Sequence, residues 1–353
     1  MTFERRIGGE MEITVEQLRG SPAPGAWPAF AKDHVLRCDT GRSAVRLALL
    51  DWVCKRSSQA VVWVPSYVCP SVRATIAASG LTASIYPDRP GLASWPVPPA
   101  PEPDDIVLVI HYFGLINRAA CGWLDSQTDR EWGLLEDCVQ APYSAGAGLR
   151  GDYAVASLRK WWPAPDGAVV CSRKPIVAPR LLPPEEHYIS QRVFAKLLRG
   201  NHECEATNLK WIEESEHLLA HAEPRQVSWI SRHLLASVDP QRAAAARRDN
   251  WSALVQGLDS QDRIRPLFDA LAVGEVPLGF PVLVRGGLRD SLRAFLMQRQ
   301  VFCPVHWALT DAPFPADRAM SDEMLTIPLD QRYGGGDMQV VLTHIREFLG
   351  SSQ

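Results

Sequence analysis

The sequence predicts a large three-layer α/β domain with a mainly parallel sheet, followed by a small C-terminal α+β domain. In the first half, apolar runs of strand length alternate with segments of helical periodicity, a pattern typical of a parallel sheet covered by helices. Residues 183–256 are helical in pattern, and the chain then returns to mixed strands and helices. Because 353 residues exceed the size of one ordinary core, we divide the chain into residues 1–235, with the N-terminal segment 1–35 included, and residues 236–353.

The elements of the first domain follow from apolar runs and turn residues. Residues 40–50 predict a helix, because a polar turn with Gly41 and Ser43 precedes apolar residues at helical spacing. Continuous apolar runs predict strands that are buried on both faces. These predicted strands are residues 60–64, 81–88, 106–114, 133–141, 153–158 and 167–172. A second helix is predicted at residues 71–80, and the proline-rich residues 89–105 form a surface connection.

The C-terminal part predicts a different order of elements. Residues 278–287 and 324–332 have the pattern of strands or extended segments. Residues 288–300 and 334–350 have the periodicity of amphipathic helices. This order fits a small domain with an antiparallel sheet.

Composition and charge exclude several classes of partner. The net charge of −3 includes no basic excess, so a nucleic-acid partner is not expected. No apolar run approaches the ~20 residues of a membrane helix, and the N-terminus lacks the apolar stretch of a signal peptide. We therefore expect a cytoplasmic protein without a membrane partner. None of the eight cysteines forms a CxxC pair or stands at zinc-ligand spacing from a histidine, so we expect reduced thiols and no metal site.

Polar residues follow several predicted strands or begin a helix, and such ends converge on the ligand crevice of an open α/β sheet. The segments are TGRSA, SYVC, EDCVQ and SLRK. The helix start at Gly41 offers backbone N–H groups to a phosphate, Asp137 ends one strand, and Ser157 and Lys160 follow the next. A phosphate cradle, a carboxylate and an amine are what pyridoxal phosphate requires, because lysine forms its Schiff base and an aspartate keeps its pyridine nitrogen protonated.

Each of these features has a simpler explanation when it is taken alone. A helix start with small residues is usually only a cap, an aspartate after a strand is usually an N-cap, and a loop lysine is usually solvated. The combination favours the cofactor. A nucleophilic lysine needs a depressed pKa, so we expect Trp161, Trp162 and Pro163 to desolvate Lys160 and direct its amine.

The order of these motifs resembles the DegT/DnrJ/EryC1/StrS family of pyridoxal-phosphate enzymes, the sugar aminotransferases of fold type I. In the first domain the matching motifs are TGRSAVRLAL, PSYVC, IHYFG, EDCVQA and GDYAVASLRK. In the second domain they are LRDSLRAFLMQRQVFCPVHW and SDEMLTIPLDQRY. The resemblance extends in order over residues 36–350, and it implies the fold type I architecture and pyridoxal phosphate as cofactor.

The resemblance also implies a role for each matching residue. Lys160 would form the Schiff base and act as the acid/base catalyst, Asp137 would pair with the pyridine nitrogen, and Gln140 would contact the 3-oxygen side of the ring. The phosphate ligands would be Ser157 and the backbone groups of Gly41, Arg42 and Ser43.

Several positions depart from the family pattern. The spacing from Ser157 to Lys160 is two residues shorter than the usual S-x-x-x-x-K. The aromatic residue that covers the cofactor ring falls at Cys69, for which Tyr67 or a nearby tryptophan would substitute. The segment EPRQVS around Arg225 stands in place of N-Y-R-M, which reaches the partner subunit's site.

Three further residues have two explanations each. His306, in PVHW, would either contact substrate from the small domain or pack as a strand residue. His111 is expected to be a hydrogen-bonded histidine of the core or crevice rather than a catalyst, and Cys138 a core residue.

The resemblance implies a homodimeric aminotransferase. Glutamate or a similar amino acid would be the donor, and a keto-sugar nucleotide or related ketone the acceptor. Two alternatives stay open from the sequence. One is a dehydratase, or a condensing or rearranging enzyme, of a biosynthetic pathway, suggested by the shortened lysine loop and the missing aromatic. The other is a binding or regulatory protein that kept the fold and lost catalysis.

Overall fold

The computed structural model describes residues 5–20, 23–28, 30–177, 179–199, 205–218, 223–258 and 263–351. The strands of these ranges, in chain order, are β1 (Ile7–Gly8), β2 (His34–Cys38), β3 (Val61–Pro65), β4 (Thr82–Tyr86), β5 (Ile106–Ile110), β6 (Gly133–Asp137), β7 (Tyr153–Ser157), β8 (Ala168–Ser172), β9 (Ile264–Pro266), β10 (Phe280–Val284), β11 (Val301–Phe302) and β12 (Met324–Ile327).

The helices of the same ranges are α1 (Val15–Arg19), α2 (Gly41–Lys55), α3 (Pro70–Ala78), α4 (Arg118–Leu124), α5 (Glu186–Leu198), α6 (Glu205–Leu218), α7 (Trp229–Ala236), α8 (Pro240–Gly257), α9 (Arg289–Gln298), α10 (Pro315–Glu323) and α11 (Gly335–Ser351). A single 3₁₀ turn, Leu158–Lys160, follows β7.

The central sheet has the strand order β2-β8-β7-β6-β5-β3-β4. The neighbouring strands β7, β6, β5, β3 and β4 all run parallel. Strand β8 is antiparallel to both β7 and β2. The prediction of a mainly parallel sheet is therefore confirmed. The carboxyl ends of β5, β6 and β7 meet at one edge, which is where a ligand crevice is expected in such a sheet.

Helices cover both faces of this sheet because the sheet-lining residues alternate between two apolar clusters. On one face, Leu108 and Leu135 pack with Leu47 of α2. On the other face, Val107 and the alanines of α4, such as Ala120, belong to a separate cluster. Strands β5 to β8 are buried along their whole length. This is the three-layer arrangement that their continuous apolar runs predict.

The C-terminal part contains an antiparallel sheet of order β12-β10-β9. Helix α11 contacts both α8 and α9, and α9 also contacts β12 of this sheet. Two N-terminal residues pair with this part, since β1 runs parallel to β11. The antiparallel sheet confirms the predicted α+β character, and the division at residues 235 and 236 stays a prediction.

The remaining general features concern thiols and hydropathy. The cysteines at the described positions are free thiols. Within the described ranges, no helix combines the length and the apolar character that crossing a membrane requires.

Candidate active site

A cavity of about 270 Å³ lies at the carboxyl ends of β6 and β7, next to the start of α2. Its volume is slightly below the range of ordinary ligand pockets, which is ~300 to ~1,000 Å³. The predicted site residues that line it are Gly41, Arg42, Cys69, Asp137, Gln140, Ser157 and Lys160. Segments that are far apart in sequence therefore converge on a single crevice.

The start of α2 forms one wall of the cavity. Thr40 is the N-cap, and its Oγ1 accepts a hydrogen bond from the backbone N–H of Ser43. Ser43 is buried and does not line the cavity, and its N–H is already bonded to the Thr40 cap, so the prediction that it binds the phosphate is not supported. A Cβ atom at Gly41 would lie 3.1 Å from the Cβ of Ser157. Glycine thus lets the helix start approach the end of β7, where the first N–H groups have no intrahelical acceptor.

Asp137 supplies a carboxylate at the end of β6. Its Oδ1 accepts a hydrogen bond of 2.9 Å from the N–H of Val139, and 7% of the residue is exposed. Burial raises the pKa of Asp137, although the Val139 N–H and the charge of Lys160 oppose that shift. A cation bound in the cavity would lower the pKa of Asp137, because a nearby positive charge favours the ionised carboxylate.

Gln140 carries a hydrogen-bond donor without a partner. Its Oε1 accepts from the backbone N–H of Phe113 at 2.7 Å, which fixes the orientation of the amide. The Nε2 group is buried, and it has no hydrogen-bond partner among the described residues. Since a buried unpaired donor is costly, this amide is suited to donate to a ligand in the cavity.

Lys160 ends the 3₁₀ turn after β7, and its side chain is exposed. This differs from the prediction that Trp161 and Trp162 desolvate the lysine. Both tryptophans are buried in an apolar cluster of their own. Their indole N–H groups donate to Val139 O at 3.1 Å and to Tyr143 Oη at 2.5 Å. The tryptophans therefore anchor the loop, and the lysine amine is left free at the cavity wall.

The aromatic side chain that lines the cavity comes from the C-terminal part of the chain. Tyr67 is fully buried and does not line the cavity. Its hydroxyl donates to His306 O at 2.8 Å and accepts from the N–H of Trp307 at 3.2 Å. Trp307 itself lines the cavity beside Cys69. Tyr67 thus holds the backbone that carries Trp307, and sequence reasoning could not locate this tryptophan because it comes from a distant segment.

A buried hydrogen-bonded pair, His111 and Glu136, lies at the ends of β5 and β6. His111 Nε2 lies 2.9 Å from Glu136 Oε2, and Nδ1 accepts from the N–H of Asn117 at 3.2 Å. The proton therefore resides on Nε2. His111 is the hydrogen-bonded core histidine that the sequence predicts, and Cys138 is fully buried in the core.

A second cavity of about 480 Å³ adjoins the first, and Arg159 and Lys160 line both. His306 lines this larger cavity, where its Nδ1 lies 3.0 Å from Thr326 Oγ1. Burial, together with the charge of Lys160, lowers the pKa of His306 to about 3, so the imidazole is neutral at ordinary pH. Arg225 lies outside both cavities and contacts Glu185 at 3.0 Å.

Glu216 of α6 lines the smaller cavity and binds three guanidinium groups. Its carboxylate lies 3.0 Å from Arg42 Nη2 and 2.8 Å from Arg159 Nη2, and it also contacts Arg192. Burial opposes ionisation, but the arginines outweigh it and lower the pKa of Glu216 to about 2. The sequence did not indicate this group because its partners lie on other elements.

Solved structures share this architecture, whereas no family model and no curated protein matches the sequence. A DegT DnrJ EryC1 StrS aminotransferase from Brucella abortus has 14% identity and a TM-score of 0.59, with 90% of this chain and 87% of that chain covered. The putative sugar aminotransferase Spr1654 from Streptococcus pneumoniae, in its PLP form, has 12% identity and a TM-score of 0.66, with 96% and 97% covered. The fold is that of the sugar aminotransferases. DesI, solved in the presence of its TDP-sugar product, has 14% identity and a TM-score of 0.60, with 90% and 81% covered.

The side chains of the smaller cavity fit pyridoxal phosphate. Identities of this size show a shared fold, and a fold by itself does not determine an activity. The donor set provides the independent argument. Asp137 and Lys160 line the same cavity, the unpaired Nε2 of Gln140 is available to a ring oxygen, and Ser157 lies against Gly41 where a phosphate would be received.

Proposed function

We propose that the chain is a pyridoxal-phosphate-dependent aminotransferase. An amino acid such as glutamate would be the donor, and a keto-sugar nucleotide or a related ketone the acceptor. The observation that carries this proposal is the presence of the Asp137 carboxylate and the Lys160 amine in the wall of one cavity. Those two groups are what the cofactor needs at its ring nitrogen and at its aldehyde carbon.

Each residue has a task in this proposal. The cofactor supplies an electron sink when it is bound. Lys160 would hold the cofactor covalently until the amine of the amino donor displaces it, and its freed Nζ would then move a proton between the substrate α-carbon and the cofactor. Asp137 would hold a proton on the ring nitrogen, Gln140 would donate to the ring oxygen, and Ser157 with the start of α2 would bind the phosphate.

The larger cavity is our candidate for the acceptor site. It opens beside Lys160, and its wall includes neutral His306 and several arginines, such as Arg159 and Arg192. Such a lining favours an anionic substrate. DesI, which has the same fold, was solved with its TDP-sugar product, and a nucleotide-linked keto-sugar is therefore the acceptor class that we propose.

We also propose a homodimer that acts in the cytoplasm. The family resemblance implies that the site is completed by a second subunit, and Arg225 is the residue that would reach the partner. In this chain its guanidinium is bound to Pro183 O at 2.9 Å and to Glu185. A mass measurement in solution, with and without cofactor, addresses the subunit number.

The donor half of the reaction tests the proposed activity. Purified protein loaded with pyridoxal phosphate is mixed with single amino acids, and the visible absorption is followed. We expect at least one amino acid, glutamate first, to convert the cofactor to its amine form. Asp137→Asn should bind cofactor and slow this conversion at least ~100-fold, because the neutral amide cannot stabilise the ring cation (more than ~2.7 kcal/mol of barrier). Bound cofactor that no amino acid converts would contradict transamination.

A further inference from the structure

The larger cavity has an excess of cationic side chains. Its cationic lining residues are Arg159, Lys160, Arg192, Lys196, Arg247 and Arg293, and its carboxylates are Glu10 and Asp330. Within the described part of the chain, three of these six cations have a carboxylate partner. Glu10 lies 3.1 Å from Arg192 and 2.7 Å from Lys196, and Glu216 binds Arg159 from the side of the smaller cavity. The uncompensated positive charge of the lining is therefore carried by Lys160, Arg247 and Arg293.

Arg247 is the buried exception. It lies on α8, it is fully buried, and no carboxylate of the described residues lies within 4.0 Å of its guanidinium. Burial lowers the pKa of Arg247 to about 10. The acid whose charge raises this pKa, Asp330, is itself bound by Arg332 at 2.7 Å. A buried cation without a counter-ion has a high free energy, and an anion that binds beside it would lower that free energy.

Three hydrogen bonds hold the guanidinium of Arg247 in place and leave one of its nitrogens without a partner among the described residues. Nε donates to Gln331 Oε1 at 2.8 Å, and Nη1 donates to Pro277 O at 3.1 Å and Leu278 O at 2.9 Å. The Nη2 group is buried and has no partner among the described residues. A guanidinium can donate five hydrogen bonds in a fixed plane, and here the two N–H bonds of Nη2 remain unused.

This guanidinium is also tied to the loop that carries Lys160. Its Cζ lies 4.3 Å from the ring centre of Trp161, the residue that follows Lys160. Gln331, which accepts from Arg247, donates in turn to Trp161 O at 2.8 Å. Arg247 is therefore fixed relative to the reacting end of the larger cavity, and an anion bound there would be positioned with respect to the lysine.

We propose that Arg247 is an oxyanion-binding residue of the substrate site. Its Nη2 group would bind a carboxylate or phosphate oxygen of a substrate that enters the larger cavity. The proposal rests on the proposed function, because it assigns the anion to an aminotransferase substrate. Two sources share this chemistry, the α-carboxylate of the amino donor and the diphosphate of a nucleotide-linked acceptor.

Calorimetric titration of the full chain, loaded with pyridoxal phosphate, separates the two sources. Glutarate is the probe for a donor carboxylate, and thymidine diphosphate is the probe for an acceptor diphosphate. We expect the wild type to bind at least one probe, and Arg247→Gln to weaken that probe about tenfold or more, as expected for the loss of a charge-assisted hydrogen bond. Arg247→Lys should lose less, because it keeps the charge.

Arg248→Gln is the matched control, since Arg248 is the next residue of α8 and does not line either cavity. It should change both dissociation constants less than about twofold, because Arg248 is half-buried away from both cavities and has no contact with a ligand bound in them. Pyridoxal phosphate should bind Arg247→Gln as it binds the wild type, since Arg247 does not line the smaller cavity. That result shows that a weakened probe is not the result of a damaged fold.

Two outcomes would overturn the assignment. One is a wild type that binds neither probe at millimolar concentration. The other is a folded Arg247→Gln variant that binds both probes as the wild type does, which would leave Arg247 a purely structural link between α8 and the loop after Lys160. The same titrations without cofactor keep the proposals apart. A chain that binds no pyridoxal phosphate but still binds a probe through Arg247 refutes the proposed function and leaves the anion site standing.

Discussion

Buried polar side chains in this chain differ in how much of their bonding capacity the fold itself uses. Glu136 accepts hydrogen bonds from His111 and from the N–H groups of Gly148 and Gly151, so the core satisfies it. Gln140 and Arg247 each keep a buried nitrogen without a partner in the described ranges. An unpaired buried donor costs about 1–3 kcal/mol. Because these two residues line adjoining cavities, we expect a ligand oxygen to accept a hydrogen bond from each nitrogen.

Trp307 should contribute to cofactor affinity as the aromatic residue of the smaller cavity. Replacing it with alanine should weaken the binding of pyridoxal phosphate about three- to tenfold, because stacked aromatic pairs contribute ~0.5–1.5 kcal/mol. Trp307→Phe should recover most of the affinity. Absorbance titration measures it, and Trp229→Ala is the control, since Trp229 is 72% exposed. Equal affinity of the alanine and phenylalanine variants would exclude a ring contact.

Asp88 should make stability depend on pH. Burial raises its pKa to about 7, and its Oδ2 accepts from Asn117 Nδ2 at 2.9 Å. The folded chain therefore holds a proton that the unfolded chain, with a pKa near ~3.9, has released. This contribution to stability is complete below pH ~4 and is lost as the pH rises to ~7.

Asp88→Asn removes this dependence, because the amide stays neutral. Relative to the wild type, the variant should gain ~2–3 kcal/mol in the free energy of unfolding between pH 5 and pH 8. Urea unfolding at the two pH values measures the difference, and Asp129→Asn, an exposed site, should follow the wild type. A difference between the variant and the wild type that is the same at pH 5 and at pH 8 would show that Asp88 is already ionised in the folded chain.

At the scale of elements, the site depends on how α2 begins. Thr40 caps the helix, and the glycine after it allows the helix start to lie against the end of β7. Gly41→Ala should weaken the binding of pyridoxal phosphate several-fold, because the added Cβ would lie 3.1 Å from the Cβ of Ser157 and separate the two elements. Stability should change by less than about 0.5 kcal/mol, since alanine favours helices.

Gly122→Ala is the control for that substitution, because a Cβ there meets no atom within 4 Å. It should leave cofactor affinity unchanged, as measured by the same titration. If Gly41→Ala bound the cofactor as tightly as the wild type, the start of α2 would have no close contact with the phosphate.

The elements that the sequence predicts well are those with a strong local pattern. The continuous apolar run of β5 and the capped start of α2 both appear at the predicted positions. Strand β2 was not predicted, because its segment HVLRC contains no apolar run longer than two residues and does not alternate regularly between apolar and polar residues. The pairing of β1 with β11 could not be predicted either, since it joins segments almost 300 residues apart.

The residues of the candidate site also differ in whether the sequence could predict them. Asp137, Gln140, Ser157 and Lys160 could be proposed because each follows a strand whose end lies at the crevice. Trp307 could not be found by that rule, because it reaches the cavity from the small domain. Its placement depends on contacts such as the bond from Tyr67 to the backbone of residue 306, which have no local sequence signal.

For the molecule as a whole, the smaller cavity lies in the large domain and is closed by a residue of the C-terminal part. His306 and Trp307 are consecutive, yet they line different cavities on the two sides of Lys160. A single segment of the small domain thus contacts both the proposed cofactor site and the proposed substrate site. Substrate binding in one cavity and cofactor cover in the other are therefore expected to be coupled through this segment.

Locating the covalent bond of the cofactor tests the central claim most directly. The protein is loaded with pyridoxal phosphate, reduced with borohydride and digested, and the modified peptide is identified by mass spectrometry. The account predicts that the label resides on Lys160 alone among the six lysines of the chain, and that Lys160→Ala carries none. Labelling of another lysine instead, or labelling of Lys160→Ala equal to that of the wild type, would contradict it.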